Sequence, residues 1–143
     1  MTNKIDKRKS YFVVFDTETA NGLDDPIMYD LGFAVVDKKG TVYETNSLII
    51  REVFYGMKDL MKSAYYADKI PNYEKEIANG QRKVVSLYEA KKIFQAVCKK
   101  YNVKACIAHN ADLTIGQPQK HSVISQNQNT DFSFLTESNC GIQ

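Results

Sequence analysis

A chain of 143 residues with 43% apolar and 25% charged side chains has the size and composition of one ordinary globular domain, which excludes fibrous and intrinsically disordered classes. Its apolar runs break every few residues, far short of the roughly 20 that a membrane helix needs, so no membrane partner is expected. Cys98, Cys106 and Cys140 show no CxxC spacing, which argues against a zinc site or a disulfide framework, and the formal net charge of +2 is close to balanced.

Residues 1–10, MTNKIDKRKS, read as a flexible basic leader without a signal-peptide core, and the chain is expected in the cytoplasm. Tyr11 to Phe15 is a short apolar run that predicts a buried strand; it stops at Asp16, after which polar and small residues turn the chain away. Tyr29 to Val36 and Thr41 to Ile50 predict two further strands, joined through Asp37-Lys38-Lys39-Gly40, with glycine where a positive φ is useful. Gly32 predicts a bulge or a close backbone approach. Residues 53–79 predict two short helices broken at Pro71. Ser86 then caps a helix whose Leu87, Ala90, Ile93, Phe94, Val97 and Tyr101 form one apolar stripe. KACIA follows as a short strand ending at His109-Asn110. The order is three strands, helices, then a strand, an α/β class.

From Asp112 the composition changes. Of the 19 Lys and Arg, 18 precede it, as do all nine Tyr, while five of the seven Gln lie in residues 112–143. Such a Gln-, Asn- and Ser-rich stretch is poor material for a packed core. A domain over 11–111 and a poorly ordered tail over 112–143 are therefore expected.

The chemistry centres on FDTET. In a strand, residues i and i+2 share a face, so Asp16 and Glu18 present both carboxylates together if the strand persists. Two like charges held that close repel, and a hard divalent cation relieves the repulsion; Mg²⁺ or Mn²⁺ suits a few carboxylates with water or phosphate in the other positions. Such ions activate water in phosphodiester cleavage. An Asp-x-Glu pair also commonly ends a strand in plain solvent.

FDTET, the hairpin with DLGFAVVD, the intervening helices and then IAHNA together resemble the DnaQ-like 3'-to-5' exonucleases, the DEDD family with an RNase H-like fold; DNA polymerase III epsilon is of this kind. The resemblance covers residues 11–111. It implies an RNase H-like mixed sheet, three antiparallel strands and then a parallel one, with helices, incomplete at the C-terminus. It implies Asp16 and Glu18 as catalytic metal ligands, with Asp16 bridging two Mg²⁺ or Mn²⁺ ions in the family. Thr17 and Thr19 would lie beside the terminal nucleotide, Asn110 would help shape the second motif, HNxxFD, and His109 would support its loop, with His109 and Asn110 counted among the substrate-binding candidates. The implied partners are single-stranded nucleic acid or its 3' ends, with a DNA polymerase as a partner that the family allows.

Two of the family's four acids are missing. The second-motif Asp should fall at Thr114, and Asp112 is the only nearby acid and so the one further candidate metal ligand, although on a helix two residues are about 200° of rotation, which would point it elsewhere. No His or Tyr stands four or five residues before an Asp in the tail. A one-base deletion near Ala111 accounts for both departures. Codons permitted by the tail, read from the third base of the Ala111 codon, yield a string that begins RFDYRA, restores HNARFD and ends IELWDT. The expected chain is an incomplete domain with at most one weakly held ion, and with residues 104–108 as an unprotected sheet edge.

Impaired exonuclease activity is one outcome of this reading. A catalytically inactive remnant that binds nucleic acid through Arg82-Lys83, Lys91/Lys92 and Lys99/Lys100 is a second. An unrelated α/β domain is a third.

Overall fold

The computed structural model describes residues 4–21, 25–108 and 122–125. The first strand, β1, spans Tyr11–Ala20. Tyr11, Val13 and Phe15 are buried while Val14 and Asp16 are exposed, the alternation of a strand with one face on the core. The strand does not stop at Asp16, as its apolar letters suggested. β-Branched Thr17 and Thr19 favour extended backbone, and Asp16 and Glu18 find cross-strand places opposite Gly32 and Asp30. The turn comes later, at Asn21, whose φ is 74° and whose side-chain amide donates to Asp25.

The hairpin forms where the sequence placed it, between β2, Ile27–Asp37, and β3, Val42–Ile50. Gly40 takes a φ of 81°, and the Asp37 carboxylate accepts from the backbone N–H groups of Lys39 and Thr41. Gly32 is neither a bulge nor a close approach. It pairs regularly with Asp16 and Ser47, and a Cβ added there would meet nothing within 4 Å. The bulge lies instead opposite Glu18/Thr19, where Tyr29 is the extra residue of β2.

Residues 51–78 form more pieces than expected: α1, Arg51–Phe54; α2, Lys58–Lys62; and a 3-10 turn, Ala67–Lys69, that runs into α3, Ile70–Ala78. Pro71 does not break a helix but opens one, in the first turn where a missing N–H leaves no bond unmade. A three-residue strand, β4, Lys83–Val85, pairs parallel with β3; it is too short to show a period in the sequence. Helix α4, Leu87–Tyr101, starts with a complete capping box between Ser86 and Glu89 and ends at Asn102 with a φ of 47°. β5, Ala105–Ala108, lies parallel to β1.

The sheet order is β4-β3-β2-β1-β5-β6, an α/β mixed sheet with β1 between β2 and β5. The last strand, β6, Ser122–Ser125, pairs antiparallel with β5. Residues 104–108 are therefore not an unprotected edge, because backbone N–H and C=O groups pair without requiring particular side chains. The rest of the 112–143 segment lies outside the described residues.

Helix α4 covers one face of the sheet: the Phe94 ring stands 5.0 Å from that of Phe33 and 6.2 Å from that of Phe15, and Tyr101 stands 5.2 Å from Tyr11. Tyr73 of α3 reaches Asp30, which alternation puts on the other face. The sheet is thus flanked by α4 on one side and by α3 on the other, at the end where β1 carries its acids. Among the described residues no helix is long and apolar enough to cross a membrane.

Candidate acidic cleft on the sheet

Strand pairing assembles the site. Asp16 and Glu18 of β1 stand opposite Gly32 and Asp30 of β2, and Ser47 of β3 pairs with Gly32, so the five share one face. α3 adds Asn72, Tyr73 and Glu76, the 3-10 turn and its approach add Lys69 and Tyr66, and Arg82 enters just before β4. Together they enclose a cleft of about 390 Å³.

Asp30 is its most buried acid, 6% exposed. Its Oδ2 accepts from the Tyr73 hydroxyl at 2.9 Å and from Arg82 Nη1 at 2.6 Å. Arg82 also donates to Glu76 and, at 3.3 Å, to the Ser47 hydroxyl, while its guanidinium lies 4.2 Å from the centre of the Tyr73 ring. The other oxygen of Asp30, Oδ1, is buried and has no hydrogen-bond partner among the described residues.

The charges follow from this geometry. Burial pushes the Asp30 carboxyl above its usual range, and Arg82 and Tyr73 offset only part of the shift. A guanidinium does not give up its proton in a protein, so the desolvation cost of the pair falls on Asp30. Burial works against the charge of Arg82 too, but the bond to Glu76 and the nearby charge of Asp30 outweigh it. Half-buried Glu18 is raised by burial first and then by the charges of Asp16 and Asp30, with Lys69 and Arg82 pulling the other way. Burial and Asp30 raise the Tyr73 hydroxyl well beyond its ordinary range. The cleft holds four carboxylates, Asp16, Glu18, Asp30 and Glu76, against Lys69 and Arg82.

The sequence-predicted residues divide. Asp16 and Glu18 come together; Thr17 and Thr19 alternate to the opposite face, and neither is among the described residues lining the cleft. His109, Asn110 and Asp112 lie outside the described residues. Arg82, read as a nucleic-acid contact, is committed to Asp30 and Glu76. Lys100 bonds Glu44 at 2.8 Å, and Lys92 sits 4.6 Å over the Tyr88 ring. Sequence reasoning missed Asp30, Tyr73 and Glu76. Asp30 did leave a signal: an acid inside an apolar strand, two positions before Gly32 and so on the same face.

A divalent cation fits this surface in part. Asp16 is exposed and Glu18 half-buried on one face, the oxygen chemistry that Mg²⁺ or Mn²⁺ takes. Among the described residues no group of three or more acids, His or Cys could hold a metal ion, so Asp16 and Glu18 stand as two carboxylate donors without a third. Comparison with protein-family models, with curated proteins and with solved structures found no match to this chain.

Proposed function

We propose that this chain is a metal-dependent 3'-to-5' exonuclease of the DnaQ-like kind, on an RNase H-like sheet, with activity lowered by an incomplete acid set. The observation that carries this reading is the presentation of Asp16 and Glu18 on one face of β1 in a cleft whose rim carries Lys69. Asp16 and Glu18 would hold one Mg²⁺ or Mn²⁺, which when bound supplies Lewis acidity toward water and a phosphoryl oxygen. Lys69 gives the rim a cation for a phosphate group, and Arg82 fixes Asp30 beneath it. The partner is the 3' end of a single-stranded nucleic acid, with a DNA polymerase as a further partner of the same proposal and the cytoplasm as its place.

A second reading, binding without cutting, has its own support. Tyr65 is 87% exposed, its ring lies 4.8 Å from that of Tyr66, and Lys69 sits 3.9 Å over Tyr66 at the cleft. Exposed aromatic rings beside a cation suit stacked, unpaired bases.

The test uses a single-stranded oligonucleotide labelled near its 3' end. With Mg²⁺ the present chain releases little nucleotide, and the chain translated after restoring one base near the Ala111 codon releases it readily. Asp16→Ala in the restored chain removes the release. Equal release by the present and restored chains overturns the incomplete-site reading. Anisotropy of the oligonucleotide without metal, compared with Tyr65→Ala, reads binding alone.

A further inference from the structure

We propose that the outward face of α4, formed by Tyr88, Lys91, Lys92, Gln95 and Lys99, binds the phosphate backbone of single-stranded nucleic acid, on the side of the sheet away from the acidic cleft. This surface does not depend on whether the cleft cuts, and it takes in residues that the site at Asp16 and Glu18 leaves unused.

Three observations carry it. The first is charge. Residues 83–104 hold six lysines and one acid, Glu89, which is five net positive charges in a chain whose total is +2. The second is placement. With about 100° of turn per residue, Tyr88, Lys91, Lys92, Gln95 and Lys99 fall within an arc of about 100°, opposite the buried arc of Ala90, Phe94, Val97, Cys98 and Tyr101. No acid falls on the outward arc. It runs about 16 Å along the axis, a track for a polymer and not a point for a single anion. The third is availability. Lys91, Lys92 and Lys99 form no ion pair with a described residue. Neighbouring acids are engaged elsewhere: Glu89 accepts from the Ser86 backbone N–H at 2.7 Å and lies 3.8 Å from Arg51, and Glu44 takes Lys100 at 2.8 Å.

The chemistry of the stripe selects the partner. Tyr88 is 64% exposed and the Lys92 ammonium stands 4.6 Å over its ring, which suits an unpaired base stacked beside its own phosphate. The apolar arc of α4 is spent on Phe15 and Phe33, so the helix has no free apolar face with which to enter a lipid surface. Strand register brings the two faces of the molecule together at one end. Glu18, Asp30, Ile49 and Val84 form one row across β1, β2, β3 and β4, and α4 begins three residues after Val84. A strand that leaves the cleft round the β4 edge therefore meets exposed Lys83 and then Tyr88.

The test is the anisotropy of a labelled oligothymidylate on the full chain, in EDTA so that no cleft ion contributes. A plot of log affinity against log salt is expected to have a slope of about −2, from three phosphate contacts at about 0.7 each. Lys92→Gln with Lys99→Gln, both exposed and outside the core, should make that slope shallower by about 1.4. Tyr88→Ala should weaken binding about fivefold or more at fixed salt. Lys58→Gln with Lys62→Gln removes the same charge from exposed positions of α2 and should leave the slope unchanged. Equal flattening by the two pairs would trace the binding to net charge alone and overturn the surface. Backbone amide resonances from Tyr88 to Lys99 should move on titration; shifts confined to Tyr65, Tyr66 and Lys69 overturn the α4 surface and leave binding at the cleft standing. Tighter binding of polyglutamate or of phosphatidylglycerol vesicles than of oligothymidylate at one ionic strength overturns the nucleic-acid partner. Nucleotide release with Mg²⁺ reads the cleft separately, so either reading can fail alone.

Discussion

At the scale of single residues, burial separates ion pairs that look alike in the sequence. Asp30–Arg82 is 9% and 22% exposed, whereas Asp59–Lys62 is 97% and 75% exposed. Removing Arg82 strands a buried carboxylate, so Arg82→Ala should lower unfolding stability by about 3 kcal/mol. Removing Lys62 frees a solvated one, and Lys62→Ala should cost under about 0.5 kcal/mol. Urea unfolding of both variants checks the contrast, and equal losses would contradict it. Asp37 gives a pH prediction. The Tyr43 hydroxyl donates to its Oδ2 at 2.8 Å, and this bond, with those from Thr41 and Lys39, holds its carboxyl below the usual value of 3.8. A depressed carboxyl binds fewer protons folded than unfolded, so its contribution is present above pH 3.8 and is lost as pH falls through the lower folded value. Tyr43→Phe should therefore lower stability at pH 7 and shrink the acid-side loss, so that the two chains converge in urea titrations as pH falls well below 4.

At the scale of elements, α4 is the piece on which both local and tertiary signals agree. Its capping box satisfies the first-turn N–H groups, and Ser86→Ala should cost about 1 kcal/mol by thermal unfolding. Phe94, fully buried between Phe15 and Phe33, fixes α4 to the face of the sheet opposite the cleft. Phe94→Ala should cost about 3–5 kcal/mol, because the cavity lies between a helix and a paired sheet that cannot both close in. A loss no larger than that of Ser86→Ala would mean that the face repacks. The segment 51–78 is the opposite case. Its four short pieces carry no sustained period, and Gly56 shows why they break: a Cβ there would sit 2.2 Å from the Glu52 carbonyl oxygen, so the backbone folds back where only glycine fits.

At the scale of the whole molecule, β1 is the strand that everything else references. It is paired along both edges, antiparallel to β2 and parallel to β5, and it carries the acids of the cleft on one face and core side chains on the other. Its amides from Phe12 to Phe15, inside both ladders, should exchange with solvent most slowly, at rates set by global unfolding. β5 depends on β6 for its outer pairing. A chain ended before Ser122 should show faster exchange at Ala105–Ala108 and unchanged exchange in β2 and β3; unchanged β5 exchange would show that this ladder adds no protection.

The sequence by itself determined the strands β1, β2, β3 and β5, the hairpin turn, the capped helix and the pair Asp16-Glu18, because each depends on a period of two, a period near 3.6 or a single turn residue within a few positions, whereas β4 and β6 were not legible in it. It misplaced the end of β1, since an apolar run marks burial and not the extent of extended backbone, and it read Pro71 as a break when the same ring chemistry starts a helix. Only the tertiary structure decided that Asp30 stands across from Glu18, and that Tyr73 and Arg82, 43 and 52 residues further on, hold one of its oxygens and leave the other without a partner among the described residues. Cross-strand register and helix docking set those neighbours, and both are long-range facts that no local spacing encodes.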